Sequence, residues 1–334
     1  MQYAELQVTS NFSFLRGASH GEELVVQAKH LGLHALALTD HNSLAGIVRA
    51  HVQAKETGLR FIVGARLDLE LGAPPTPAPP HKGEGSRNGL RPAPSPLVGE
   101  GWGGGAANSG LSLLAWPTDR AAYGRLCRLL TLGQRRAGKG ECRLTLADVA
   151  DHAAGLVLAL LPPETWPGEA FEETLARVRR TLDGAPLHLV AHMLYRGRDR
   201  ARLNRLAGLA VRHATPLIAT NAVRCHHPDR KPLLDVLTCI RETCTIAEAG
   251  FRLEANAERH LKPAAEIARL FRGHEAAVER TVEIAEACRF SLDELKYEYP
   301  DDPVPAGTSA QSHLKALTWQ GAEERYPQGL PDKV

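Results

Sequence analysis

Asp40 and His41 stand side by side in the run Thr39-Asp40-His41-Asn42, directly after the apolar stretch Ala35–Thr39. An adjacent carboxylate and imidazole at the end of a strand can ligate a divalent metal or serve as acid and base. They also suit a plainer role, a polar turn in which Asn42 or Ser43 caps the next helix. Cys225-His226-His227 with Asp229 is a second cluster, but side chains so close along one loop seldom converge on an ion without further ligands, and a polar strand-to-helix turn is the simpler reading. His188 and His192, four residues apart in an extended run, would share one face of a strand and line an interior. No Gly-x-Ser-x-Gly elbow and no Gly-rich loop ending in Gly-Lys-Ser/Thr occurs, so neither a nucleophile elbow nor a phosphate-cradling loop is encoded.

The elements that must position these residues are legible as alternating patterns. Tyr3–Val8, Ala35–Thr39, Arg60–Leu71, Leu111–Trp116, Gly155–Leu161, Leu187–Met193 and Pro216–Thr220 predict strands. Amphipathic helices fall between most of them, including Gly21–Leu31, with Ser19 and Glu22 as its capping box, and Ala121–Leu132, with Tyr123, Leu126, Leu129 and Leu130 on one stripe. Strand and helix in alternation predict an α/β fold with parallel strands and crossovers, and in such folds function sits at the carboxyl ends of the strands. Positions 72–109 break the pattern, with eight prolines and nine glycines among 38 residues, and predict a disordered insertion without catalytic role. The flanking runs Arg66–Leu71 and Leu111–Trp116 could pair across it, because closure entropy grows only logarithmically with loop length. Beyond residue 228 the chain reads as helices over Lys231–Ile240, Ala264–Phe271 and Glu275–Cys288, then a linker over Tyr297–Gly307 and a last element at Ser312–Tyr326. The expected organisation is therefore a barrel-like unit over 1–71 and 110–228, the insertion over 72–109, a helical end over 229–296, and a linker opening a further region over 297–334.

Composition narrows the class. The chain has 334 residues, 43% apolar and 23% charged, as soluble globular proteins do. The start, Met1–Leu6, lacks a basic and then apolar leader, and no run of about 18 apolar residues occurs, so a cytoplasmic protein without membrane contact is expected. Six scattered cysteines without a Cys-x-x-Cys pair read as reduced structural thiols. The net charge of +2 is unevenly spread: Arg120–Arg143 carries seven Lys/Arg against Glu141, and residues 177–212 hold nine arginines against Asp183 and Asp199. These are read as solvated outer helix faces, with Arg125, Arg128, Arg135 and Arg136 as candidate contacts to a DNA backbone.

Three ordered blocks carry a family resemblance. Leu6-Gln7-Val8-Thr9-Ser10-Asn11-Phe12-Ser13-Phe14-Leu15-Arg16-Gly17, Leu36 through Gly46, and Ile62-Val63-Gly64-Ala65-Arg66 resemble the opening of the polymerase-and-histidinol-phosphatase (PHP) domain as it begins bacterial C-family DNA polymerase III alpha subunits. Later blocks, Ile218 through Arg224, Asn256 through Leu261 and Arg289 through Pro300, are similar to the error-prone branch of that family. The resemblance covers nearly the whole chain apart from the insertion, and it implies a distorted (β/α)7-type PHP barrel followed by a helical segment leading into a palm domain.

The resemblance also implies a metal site built from His-x-His, Asp-His, Glu and a late Asp-x-His. At the matching positions stand Gln7 and Thr9, then Asp40 and His41, then Arg66, then Ala222 and Arg224. Only Asp40 and His41 fit; Gln and Thr are weak ligands, and two fixed cations would repel the ions. The expectation is a degenerate site with no catalytic residue and no cofactor in this chain, where Arg66 or Arg224 supplies charge beside a buried Asp40. The alternatives are an active metal-dependent phosphoesterase or 3′–5′ exonuclease drawing on His20, His188, His192 or His226, and a module that binds a protein or the DNA backbone. For the full-length protein the resemblance implies templated nucleotidyl transfer on primed DNA with deoxynucleotides, Mg2+ held by palm carboxylates, and mutagenesis or replication accessory proteins as partners. No Asp-x-Asp occurs here and the chain reaches Val334 where the family enters its palm, so these residues alone are not expected to polymerise.

Overall fold

The computed structural model describes residues 1–70, 110–164, 169–296 and 304–331. Seven strands form one sheet in sequence order: β1 (Ala4–Val8), β2 (Ala35–His41), β3 (Arg60–Leu69), β4 (Leu111–Pro117), β5 (Leu156–Leu161), β6 (Leu187–Ala191) and β7 (Leu217–Ala219). All seven runs expected from the sequence are strands, and the sheet curls into a half-barrel rather than a fully laddered barrel. Its two ends meet through one parallel bridge, Val8 with Val223, in which Thr9 N–H donates to the Val223 carbonyl and Val223 N–H to the Gln7 carbonyl, both at 2.9 Å.

Neighbouring strands pair in parallel, as their alternation with helices predicts, except at β4. β4 runs antiparallel to both β3 and β5, with Leu69 opposite Leu111 and Leu113 opposite Leu160. The pairing expected between the runs now seen as β3 and β4 is present, and it is antiparallel, as consecutive strands paired in a hairpin are. The insertion expected over 72–109 lies outside the described residues.

The strands are apolar on both faces because both faces are covered. Along β5, Leu156, Leu158 and Leu160 join the outer core beneath the helices, whereas Val157, Ala159 and Leu161 join the inner one. The outer layer is α1 (Gly21–His30), α2 (Ile47–Thr57), α3 (Arg120–Arg135), α4 (Leu146–His152), α5 (Glu169–Thr181) and α6 (Asp199–Arg212), which bury Leu24, Leu126, Leu129, Leu175, Val178 and Leu206 against it. Tyr123, from the predicted stripe of α3, instead stacks on Phe290 with ring centroids 4.4 Å apart. The cap of α1 is one residue later than expected: His20 N–H donates to Glu23 at 2.9 Å, while Ser19 is buried and bonded to His226. Gly64 has no room for a side chain, since a Cβ there would lie 2.6 Å from the Trp116 ring.

After β7 come α7 (Lys231–Arg241), α8 (Ile246–Ala249), α9 (Ala264–Leu270) and α10 (Glu275–Ala287). α10 packs on β7 and β1 and closes the inner core with Ile284, Ala285 and Cys288. It also serves both open edges, because Arg280 donates to the Leu217 carbonyl at 2.6 Å and Thr281 Oγ1 accepts from Ala4 N–H at 3.1 Å. The chain divides into a unit over Met1–Glu294 and one over Leu295–Val334, the latter carrying α11 (Ala310–Arg325), capped by Ser309. No described helix is long and apolar enough to cross a membrane.

Thr281→Val keeps the shape of the side chain and removes the acceptor for a fully buried N–H. It should lower the unfolding free energy by about 2 kcal/mol, read by urea denaturation; an unchanged midpoint would mean that the β1 edge does not depend on this bond.

Candidate functional site

The loop after β1 folds over the end of β2 and captures Asp40. Ser10 N–H donates to Asp40 Oδ1 at 2.8 Å, Ser13 Oγ to Oδ1 at 2.6 Å, and Ser10 Oγ to Oδ2 at 2.7 Å. Burial raises the Asp40 pKa, and the serine bonds pull the other way. Gly46 passes so close that a Cβ there would lie 2.9 Å from Asp40 Oδ2. Asp40 thus holds the β1 loop onto β2, and Ser13 extends the link by accepting His41 N–H at 2.9 Å.

His41 takes its partner from β3. Its Nδ1 lies 2.7 Å from Asp68 Oδ2, and Asp68 Oδ1 accepts from Arg66 Nε at 2.8 Å and Ser112 Oγ at 2.6 Å. Burial, with the Arg66 charge, holds the imidazole down at about 4 against the pull of Asp68. Asp68 stays ionised, because its hydrogen bond to His41 and the charge of Arg66 outweigh its burial. The expectation that Arg66 or Arg224 would pair with Asp40 is overturned. Arg66 goes to Asp68, two residues along the same strand and hence on the same face, and Arg224 Nη1 goes to Glu254 Oε1 at 2.8 Å. Asp68 carried a signal that could have found it, the i, i+2 spacing from Arg66; the Ser10, Ser13 and Glu254 partners carried none, since tertiary folding alone brings them close.

Gln7, at a position where the resemblance implies a ligand, is buried, and its Oε1 accepts from His192 Nε2 at 2.7 Å and Thr220 Oγ1 at 2.8 Å. Thr9 is buried and contributes its backbone to the bridge with Val223, and Ala222 is buried at a left-handed φ of 47°. Around Arg224 an ion-pair network forms: Arg259 meets Glu254 at 2.9 Å and Glu164 at 2.5 Å, and Arg196 meets the same two carboxylates at 2.9 and 3.2 Å. A deeper carboxyl on β1, Glu5, accepts from Tyr3 Oη, Gln7 N–H and Asn221 N–H, and burial pushes it up to about 7.

The other candidates stay apart. His20 meets Asn11, His188 the Leu158 carbonyl, and His226 Ser19; His227 pairs with Asp229 within its own turn. Among the described residues no three of His, Cys, Asp and Glu are grouped to hold a metal ion. On α3 Arg125 binds the Ala154 carbonyl while Arg128 and Arg135 are exposed, and Arg136, just past its end, binds Asp148. Two surface grooves, one lined by Glu172, Arg205 and Arg212 and the other by Val211, Pro216 and Arg280, contain none of the strand-end residues.

Residues 5–170 match the family described as PHP domain. An error-prone DNA polymerase of Caulobacter vibrioides is 48% identical over 332 residues, and one of Rhodopseudomonas palustris 44% identical over 336, each match covering 99% of this chain. The chain spans about 27% of the length of these relatives. Among solved structures, a protein described as a metal-dependent phosphoesterase from Bifidobacterium adolescentis is 14% identical, with a TM-score of 0.42, covering 66% of this chain and 87% of its own.

His192 ties folding to pH. Burial and then Arg259 hold its pKa well below the ordinary 6.5, so on acidification the unfolded chain takes up this proton first. The contribution to stability is complete above 6.5 and is lost as the pH falls below it. Between about pH 7 and about pH 5 the protein should lose more unfolding free energy than its His192→Gln variant does; equal losses would mean that His192 protonates as readily in the fold as in the unfolded chain.

Proposed function

This chain is a PHP-domain homologue of the bacterial error-prone DNA polymerases, and on that premise we propose that it is the scaffolding PHP region of such a polymerase, with a metal centre replaced by ion pairs. The longer protein would extend primed DNA with deoxynucleotides, using Mg2+ held outside these residues, in cytoplasmic repair synthesis across damaged template and together with mutagenesis or replication accessory proteins. The role of the region described here is mechanical: it offers a closed, charged platform at one end of the sheet.

The observation that carries this reading is the state of the donors. A site for divalent ions needs several uncommitted oxygen or nitrogen ligands around one point. Asp40 gives both oxygens to serine donors, and Asp68 is shared among His41, Arg66 and Ser112. Among the described residues His41 Nε2 makes no hydrogen bond, and the Arg66 charge acts on the imidazole. The donor set does not fit a resident metal cluster, and no hydrolytic step is derived through one. Without an exonuclease in this region, a misincorporated nucleotide is not removed here, which agrees with the naming of the relatives as error-prone.

Elemental analysis of the purified chain, with calorimetric titration of manganese and zinc near neutral pH, should find no stoichiometric metal. A polymerase containing this region should likewise leave a mismatched primer 3′ end intact. Stoichiometric metal, or shortening of that primer that is lost in His41→Ala, would overturn the proposal.

A further inference from the structure

Two thiols meet where α7 ends. The helix closes on a left-handed residue, Thr243 at a φ of 51°, whose N–H donates to the Ile240 carbonyl at 3.3 Å, while Cys244 N–H donates to the Cys239 carbonyl at 3.0 Å. These two reversed bonds make a Schellman turn, which commonly brings the side chains of the residues joined by the longer-range bond into contact. With standard backbone dimensions, the 3.0 Å bond keeps the two Cα atoms within about 7 Å, the separation beyond which cysteines cannot be bridged without moving the backbone. The side chains do meet: the Cys239 and Cys244 thiols are in hydrogen-bond contact, and both are free. The run Cys239-Ile240-Arg241-Glu242-Thr243-Cys244 holds no Cys-x-x-Cys pair, so the turn rather than the spacing creates this one.

The two sulfurs differ in their surroundings. Cys239 is 6% exposed, and burial, followed by the neighbouring Cys244, raises its pKa. Cys244 is half-buried, and the guanidinium of Arg252, in the helical turn Gly250–Arg252, donates a hydrogen bond to its sulfur. The thiolate is the reactive form of cysteine, and an adjacent cation favours it. Cys244 is therefore the sulfur that an oxidant meets first, with Cys239 behind it as the resolving thiol.

We propose that Cys239 and Cys244 are a redox modification site, closed to a reversible disulfide by a hydroperoxide. The Cys244 thiolate attacks a peroxide oxygen: the S–O bond forms, the O–O bond breaks, and the leaving oxygen takes up the proton that the thiol gave, departing as water or an alcohol. The Cys239 sulfur then attacks the sulfur of the resulting sulfenic acid: the S–S bond forms, the S–O bond breaks, and the departing hydroxide leaves as water with the Cys239 proton. Two thiols lose two electrons in all, and one hydroperoxide is reduced by them. A small dithiol returns both cysteines by exchange.

The folded, reduced chain is treated with hydrogen peroxide near neutral pH, its remaining thiols are alkylated in denaturant, and it is cut with trypsin. Cleavage after Arg230, Arg241 and Arg252 puts the two cysteines on separate peptides, 231–241 and 242–252. Mass spectrometry should find these peptides joined, and find them apart after dithiothreitol. Cys239→Ser should stop at a Cys244 sulfenic acid that a cyclic diketone reagent traps, whereas Cys244→Ser should leave Cys239 unoxidised. Arg252→Gln should slow bridge formation about tenfold near neutral pH, as loss of one pKa unit of thiolate stabilisation would, and should draw level as the pH is raised. Arg252→Lys should lie between the two. Both cysteines still alkylated after peroxide, either of them linked to a different cysteine, or oxidation of Cys239 persisting in Cys244→Ser would overturn the proposal. A rate unchanged in Arg252→Gln would overturn the part given to Arg252.

Discussion

A sheet that curls without fully closing leaves two strand edges whose N–H and C=O groups must find partners, and the buried polar structure of this protein follows from that need. β7 is short and β1 meets the segment beyond it at a single bridge. The rest of the seam is stitched by side chains: Glu5 accepts from Asn221 N–H, Gln7 from Thr220, and Thr281 on α10 from Ala4 N–H. α10 fills the gap with apolar residues and also donates from Arg280 to β7, so one helix serves as both plug and edge partner. This explains why a carboxylate, an amide and several hydroxyls occur on strands that otherwise read as apolar.

The same economy operates at the strand ends. A carboxylate as deep as Asp40 is costly unless its charge is met by donors, and here a serine-rich loop supplies them. Because the loop is tied to β2 through Asp40 and to the Arg224 carbonyl through Ala18 N–H, it links the first strand to the chain beyond the last. Arg66 and Arg224 then belong to separate carboxylate partners, Asp68 and Glu254.

The reversal at β4 has a chain-level cause. β3 and β4 pair antiparallel although residues 70–110 lie between them in sequence, a separation that chain entropy tolerates because its cost rises slowly with length. Trp116, at the end of β4, is fully buried and donates to the Leu6 carbonyl at 3.2 Å, reaching across the inner face from β4 to β1. An aromatic with a donor is suited to such a site, since it fills a large volume and satisfies an edge carbonyl together.

The sequence by itself determined the seven strands, the helices between them, the helical run after residue 228 and the placement of Asp40 and His41 at a strand end. Those features follow from period and residue type, which are local. It also placed Arg66, Arg224, Gln7 and Thr9 together through ordered family blocks. Only the tertiary structure decided how they pair. Asp40 goes to Ser10 and Ser13, Arg66 to Asp68, Arg224 to Glu254, and Gln7 to His192, a residue 185 positions away. Partner choice among buried charges depends on distances between elements and on which donors remain unmet when the sheet curls, and neither quantity is written in the spacing of residues along the chain.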